Sequence, residues 1–298
     1  MRMTSLQLGR VGLWAADFDL VPMAVAQEGI ARVEEMGFST VWVPEAVLRE
    51  AFSSCALLLS ATKKMTIATG IASLHARTAQ SMQAGWKTLS EAFPDRFLLG
   101  IGVSHAPMVQ GVHKGTYDKP YSTMVDYLEA MDNGVYFSPP PSQPPRRVLA
   151  ALGPKMLKLA AEKTDGAHPY FTPVEHTAFA RDVMGKGPLL APELSVVLNE
   201  EASVAREIAS KYMTTYTRLP NYANNLKRFG FSDEEITGHA DRLVDAIVPR
   251  GSIDVIVARI KEHLDAGADH VCVQVLTGQP GVLPMKQWEE LADAIKSL

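Results

Sequence analysis

Side chains that can move protons or hold anions recur at the downstream ends of apolar runs in this sequence. Ser104 and His105 follow Phe97-Leu98-Leu99-Gly100-Ile101-Gly102-Val103, and Glu45 follows Thr40-Val41-Trp42-Val43-Pro44. Asp17 lies beyond Arg10 to Trp14; Ser73, His75 and Arg77 lie at or beyond the end of Met65 to Ala72. Gly153-Pro154-Lys155-Met156 follows Arg147 to Leu152, and His168-Pro169-Tyr170 ends the run that begins at Gly166. Imidazole and carboxylate are the groups for proton transfer near neutral pH. A glycine turn into a helix with proline at its first position leaves backbone N–H groups free at the positive helix end. That makes an anion site, although a plain strand-to-helix turn looks the same. The three histidines 75, 105 and 168 also admit a zinc reading. Against it, Arg10-Val11-Gly12-Leu13-Trp14 offers no ligand, and no paired His-x-His stands on an early strand. No Gly-x-Ser-x-Gly elbow activates a serine.

These residues meet only if the elements between them bring the run ends to one rim. One local pattern recurs: a helix ends in glycine and a β-branched strand follows. It appears in Met36-Gly37-Phe38-Ser39-Thr40-Val41, in Ala266-Gly267-Ala268-Asp269-His270-Val271, and more weakly in Thr164-Asp165-Gly166-Ala167-His168. Glycine suits the left-handed residue that closes a helix, and serial repetition argues for βα units. Strands are predicted near Arg10–Trp14, Thr40–Pro44, Met65–Ala72, Phe97–Ser104, Arg147–Leu152, Gly166–Tyr170, Glu193–Leu198 and His270–Leu276. Near-continuous apolar runs fit parallel strands covered on both faces. The stripes Ala26, Ile30, Val33; Met82, Trp86, Leu89, Phe93; and Trp288, Leu291, Ile295 read as helix faces in the core.

This alternation predicts an α/β fold, a (β/α)8 TIM barrel in one domain over residues 1–298, with active residues at the strand C-termini. An open doubly wound sheet is the alternative, but no Gly-x-Gly-x-x-Gly follows the first strand. Two insertions break the rhythm. Ala106 to Pro120 reads as a loop over the barrel mouth after the fourth strand, and Thr214 to Gly251, after the seventh, as a cap or an oligomer contact with a helix from Asp233 onward. Ser138-Pro139-Pro140-Pro141-Ser142-Gln143-Pro144-Pro145 is a stiff connector.

Bulk properties exclude several classes. Hydrophobic residues make up 47% and charged residues 21%, an ordinary globular balance. A net charge of −4 and a pI near 6.1 give no footprint for nucleic acid or an anionic membrane. Cys55 and Cys272 are the two cysteines and have no metal spacing, so a disulfide framework is not expected and a reducing cytoplasm is. Met1 to Arg10 shows no signal-peptide core, and no apolar run reaches the roughly 18 residues of a membrane span.

In combination, three runs resemble the luciferase-like monooxygenase superfamily: Ala68-Thr69-Gly70-Ile71, Ala76-Arg77-Thr78, and Arg96-Phe97 through Ser104-His105. Ala151-Leu152-Gly153-Pro154-Lys155-Met156-Leu157 and Asp165-Gly166-Ala167-His168-Pro169-Tyr170-Phe171 narrow the likeness to its branch of coenzyme F420-dependent oxidoreductases, mostly actinobacterial. The resemblance implies a flavin or deazaflavin at the strand C-termini and its phosphate on Gly153, Pro154, Lys155 and Met156. It also implies a non-proline cis peptide against the ring at Gly70-Ile71, pocket contacts from Val103, Ser104 and His105, and an acidic contact from Glu45. His168 and Tyr170 join the cofactor-binding set.

One departure matters. Relatives that oxidise alcohols or sugar phosphates place histidine after the acidic residue, where this chain has Ala46, and glutamate where it has His105. The expected activity is hydride transfer between coenzyme F420 and a small organic substrate. An FMN-dependent monooxygenase and a non-catalytic flavin or deazaflavin binder are the alternatives. His105 is the first candidate acid–base residue, Glu45 the second and His75 the third, with no metal. The family habit and the apolar stripes of the early helices imply a homodimer.

Overall fold

The computed structural model describes residues 8–298. Most of the segment read for a leader, residues 1–7, lies outside them. Among the described residues eleven strands form one sheet in which every pairing is parallel. They are β1 (Val11–Trp14), β2 (Thr40–Val43), β3 (Thr66–Thr69), β4 (Ala72–Ser73), β5 (Phe97–Gly102), β6 (Arg146–Leu149), β7 (Gly166–Ala167), β8 (Leu189–Leu190), β9 (Glu193–Leu198), β10 (Arg250–Gly251) and β11 (Val271–Val275).

The order β9-β11-β1-β2-β3-β5-β6-β7-β8 closes on itself, because β8 and β9 are one stretch of chain interrupted at Ala191-Pro192. Proline has no N–H for a ladder. The Ala191 amide bonds the Ala167 carbonyl, and the Cys272 amide bonds the Pro192 carbonyl, so pairing continues across the break. β10 adds to the outer side of β9. The fold is the luciferase-like (β/α)8 barrel that the alternation predicts.

Helices between successive strands bury one stripe each. Ala26, Ile30 and Val33 are buried on Met23–Glu35; Met82, Trp86 and Leu89 on Ala79–Ala92; Trp288 and Leu291 on Met285–Ala294. Phe93 and Ile295 pack against the same core while only partly buried. Gly37 and Gly267 have φ of +103° and +107°, the conformation the helix-glycine-strand pattern requires. Gly166 instead lies inside β7, where a Cβ would strike the Leu189 carbonyl.

Several boundaries differ from the sequence reading. The third run is not one strand but β3 and β4, separated at Gly70-Ile71, a cis peptide as the resemblance implies. The sixth is only Gly166–Ala167, since Pro169 cannot extend a ladder. The first insertion is not all loop, because its start is the helix Ala106–Gly111. The second holds the expected helix from Asp233, at Asp233–Gly238, and also Pro220–Arg228 and Asp241–Ile247, which share a core with Ala202–Thr217 around Phe171, Ala209, Met213 and Leu226. Among the described residues no helix is long and apolar enough to cross a membrane.

Candidate active site

A cavity of about 880 Å³ opens at the C-terminal ends of the strands. Trp14, Glu45, Gly70, Gly102, Ala150 and His168 reach it from successive strand ends, and Tyr216 and Tyr222 reach it from the second insertion. Its size is that of a cofactor or drug-sized site, and its lining is mostly apolar with a few polar groups.

The floor is aromatic. The His168 ring stacks on Trp42 at 4.3 Å and 11°. Its Nδ1 lies 2.7 Å from the Ala191 carbonyl, which makes Nδ1 the protonated nitrogen. Its Nε2 is buried and has no partner. Burial pushes this histidine down to about 4, against the carbonyl bond, so it is neutral at pH 7 and offers an unused acceptor. Trp14 Nε1 donates to the Gly70 carbonyl at 2.9 Å, tying β1 to the Gly70-Ile71 bend. Ile71 then folds over Gly102, where a Cβ would come within 2.5 Å of its Cδ1, so only glycine admits it.

His105 sits on the rim, its ring 5.2 Å from that of Tyr222. Burial lowers its pKa below the usual histidine range, and a hydrogen bond with Asn221 partly offsets this. Nδ1 has no partner. Ser104 is left-handed at φ +58°, and its carbonyl accepts from the Tyr117 hydroxyl at 3.2 Å. Such a conformation is uncommon for a residue with a Cβ.

Glu45 lines the cavity but spends both oxygens on the protein. Oε2 accepts from Arg77 Nη1 and from the Ser73 amide, each at 2.8 Å; Oε1 accepts from Arg77 Nη2 and from the Ala51 amide at 3.2 Å. These bonds clamp the end of β2 to β4 and to the segment after it. His75 is not brought to the cavity; it lies beside Tyr117 and His113. Asp17 and Arg77 also lie off the lining. Histidines 75, 105 and 168 therefore do not converge. Among the described residues no three His, Cys, Asp or Glu are grouped to hold a metal.

At the other end, Gly153 caps the helix Pro154–Lys163 with no side-chain cap. The amides of Lys155 and Met156 belong to the first turn, which has no intrahelical acceptor. Nothing but the Arg228 guanidinium, at 4.0 Å, approaches the place where a Gly153 Cβ would stand. Val103, Gly153, Pro154, Lys155 and Met156 all line the cavity.

A family model described as luciferase-like monooxygenase matches residues 16–270. The chain belongs to this family. A Mycobacterium tuberculosis protein, named as a candidate coenzyme F420-dependent oxidoreductase, is 24% identical over 313 aligned residues, covering 84% of this chain and 89% of its own. A solved F420-dependent secondary alcohol dehydrogenase, in complex with an F420-acetone adduct, superimposes with a TM-score of 0.75 at 17% identity, covering 96% and 98% of the two chains. The oxygenating constituent of a Pseudomonas putida Baeyer–Villiger monooxygenase, with FMN, gives 0.67 at 15% identity and the same coverage.

The residues expected at strand tips, Ser104, Gly153 to Met156, His168 and Tyr170, and those added by the resemblance, Gly70, Ile71 and Val103, all line one cavity. The strand-tip reading misses Trp14, which is inside β1, and the insertion residues Tyr216, Leu219, Asn221, Tyr222 and Arg228. A signal was present: Tyr212 and Tyr216 share one helix face, and Leu219-Pro220-Asn221-Tyr222 opens the next helix.

Proposed function

We propose that this protein is an oxidoreductase that uses coenzyme F420 to pass a hydride to or from a small organic substrate. The observation that carries the reading is that one cavity joins an uncapped helix start, flanked by Lys155 and Arg228, to the buried Nε2 of His168 and Nδ1 of His105, both without partners. Those features fit an elongated ligand with a phosphate at one end and a polar ring at the other. The Mycobacterium tuberculosis relative named as a candidate F420-dependent oxidoreductase and the solved alcohol dehydrogenase support the deazaflavin. FMN stands second, on the FMN-bound monooxygenase with the same fold.

When bound, a deazaflavin supplies the carbon that gives or takes the hydride. The residues of this chain do the rest. The amides of Lys155 and Met156 hold the phosphate, with Arg228 adding charge. Ile71 and Val103 give the ring an apolar surface. His168 Nε2 accepts a ring N–H. His105, neutral at pH 7, takes the proton of a substrate hydroxyl or amine as hydride leaves its carbon, and returns a proton in the opposite direction. Such a group contributes about 10²–10⁴-fold.

Titration of the apoprotein with F420 and with FMN tests the cofactor: F420 should bind more tightly, and clearly tighter FMN would move the assignment to the second reading. A His105→Ala variant should keep cofactor affinity within about twofold while turnover of a true substrate falls by about 10²-fold or more. Unchanged turnover would remove His105 from the chemistry.

A further inference from the structure

Behind the cavity wall lies a polar cluster that the functional reading leaves without work. Glu193, at the start of β9, is fully buried. Its Oε1 accepts from Ser195 Oγ at 2.5 Å, and its Oε2 from the Phe171 amide at 3.1 Å. Phe171 is left-handed at φ +57°, a rare conformation for a bulky residue, and its amide nevertheless serves the carboxylate. The Tyr212 hydroxyl lies next in line and interacts with the Ser195 side chain. Tyr212 in turn bonds the Tyr170 hydroxyl at 3.0 Å, and Tyr170 bonds that of Tyr216 at 2.9 Å. Tyr170 and Tyr216 line the cavity.

Four hydroxyls thus connect a buried carboxyl to the site. A hydroxyl both donates and accepts, so a file of them passes protons without any member becoming charged for long. Gln274 Oε1 braces the file, lying 2.9 Å from the Tyr170 hydroxyl and 3.3 Å from Ser195 Oγ. The groups facing Glu193 are Tyr170, Tyr212, Tyr216, Tyr222, Cys272 and the neutral Gln274. Among the described residues no lysine or arginine pairs with it. Burial without a cation pushes Glu193 up to about 7, and holds Tyr170, Tyr212 and Tyr222 well above the usual phenol range.

We propose that Glu193 is an internal proton store for this site, connected to the substrate through Ser195, Tyr212, Tyr170 and Tyr216. The inference rests on the reading of the cavity as a hydride-transfer site, because hydride transfer to a carbon–heteroatom double bond leaves one proton to be supplied. The hydride comes from a reduced deazaflavin, which leaves oxidised. When Glu193 is protonated its O–H points to Ser195 and the Ser195 hydrogen turns from the carboxyl to Tyr212; Glu193 then gives its proton to Ser195, Ser195 its own to Tyr212, Tyr212 to Tyr170 and Tyr170 to Tyr216. Tyr216 delivers its proton through the cavity to His105, replacing the one that His105 gives to the heteroatom. Each hydroxyl breaks one O–H bond and forms another, so Glu193 alone changes, from acid to carboxylate. It is reprotonated by the same path after product leaves. Glu193 acts through other residues and is a positioning residue, distinct from His105.

Infrared difference spectra test the file without cofactor. The wild type should show a carboxylic-acid band that titrates around neutral pH, shifts on transfer to deuterium oxide, and is lost in Glu193→Gln. Deuterium exchange of that band should slow by about tenfold or more in Tyr212→Phe, a rise of about 1.4 kcal/mol in the barrier. Ser195→Ala should slow it likewise and serves if Tyr212→Phe fails to fold. In the loaded enzyme, Glu193→Gln should lower kcat by about 10²-fold and flatten its pH profile, with cofactor affinity unchanged. No Glu193 band, or exchange equally fast in both hydroxyl variants, would overturn the file. A band and slowed exchange in a protein that binds neither F420 nor FMN would leave the file standing and sink the functional reading instead. Normal kcat in Glu193→Gln of a working enzyme would leave the functional reading standing and sink the store.

Discussion

At the scale of single residues, Glu193 also makes stability depend on pH. Its carboxyl ionises near 4.5 in an unfolded chain and is pushed up to about 7 when folded. The folded state therefore holds the extra proton between those values. Stability from this group is fully present below about 4.5 and is lost as pH rises through about 7. The difference is worth up to about 3 kcal/mol. Denaturant unfolding at about pH 5 and about pH 8 should show a larger drop in the wild type than in Glu193→Gln, which cannot ionise. An equal drop in both would mean that Glu193 is charged throughout. Sequence reasoning reached His105 and His168 because they stand at strand ends, where a barrel collects chemistry. Glu193 stands at the start of its strand, and its alternation with Ser195 looks like any half-polar strand. Its burial comes from Tyr212, Tyr216 and Phe171, all brought there by tertiary packing. Glu45 was visible for the same reason as His105, but its partner Arg77 lies 32 residues away, and only the fold shows that the carboxylate is spoken for.

At the scale of elements, the turn into Pro154–Lys163 is the clearest case where local sequence and site agree. Glycine then proline ends β6, starts the helix and leaves the first amides facing the cavity. Gly153 has ordinary extended dihedrals, φ −89° and ψ 159°, and open space on its Cβ side. Gly153→Val should thus fold normally and fill the place meant for the phosphate. Cofactor affinity should fall by about tenfold or more, about 1.4 kcal/mol, with the thermal midpoint nearly unchanged. Equal affinity would move the phosphate elsewhere. The long strands were legible because burial on both faces leaves apolar runs, as in Phe97–Gly102. β8 was not, because Leu189–Leu190 is only two residues between Pro188 and Pro192. The split of β3 from β4 was legible only through resemblance, since Ala68 to Ala72 carries no local breaker but Gly70. The insertion helices pack on Phe171 and on one another, and their contribution to the cavity depends on that packing.

At the scale of the whole molecule, the barrel is sealed by histidines that must remain neutral. His168 and His270 sit in the barrel interior with Trp42, and His176 and His263 sit beneath the outer helices. Burial is the leading cause in each, holding His168, His176 and His270 at about 4 and His263 at about 3. Unfolded, each takes a proton near 6.5. Their stabilisation is complete above about 6.5 and is lost as pH falls through about 4, the reverse of the Glu193 effect. The three at about 4 are each worth up to about 3 kcal/mol and His263 up to about 5 kcal/mol, and the net stability of a domain is about 5–15 kcal/mol. Together the four outweigh the two carboxyls pushed well up by burial, Glu193 and Asp17, so the acid side decides. Unfolding followed by circular dichroism should be cooperative, with its midpoint between about pH 4 and about pH 6. His263 is remote from the cavity and bonds Thr177 Oγ1 at 2.8 Å. A His263→Gln variant keeps a hydrogen-bonding group there but cannot charge, so its acid midpoint should move lower while cofactor binding is untouched. An unmoved midpoint would mean that acid unfolding starts at a carboxylate held by backbone amides, such as Glu34.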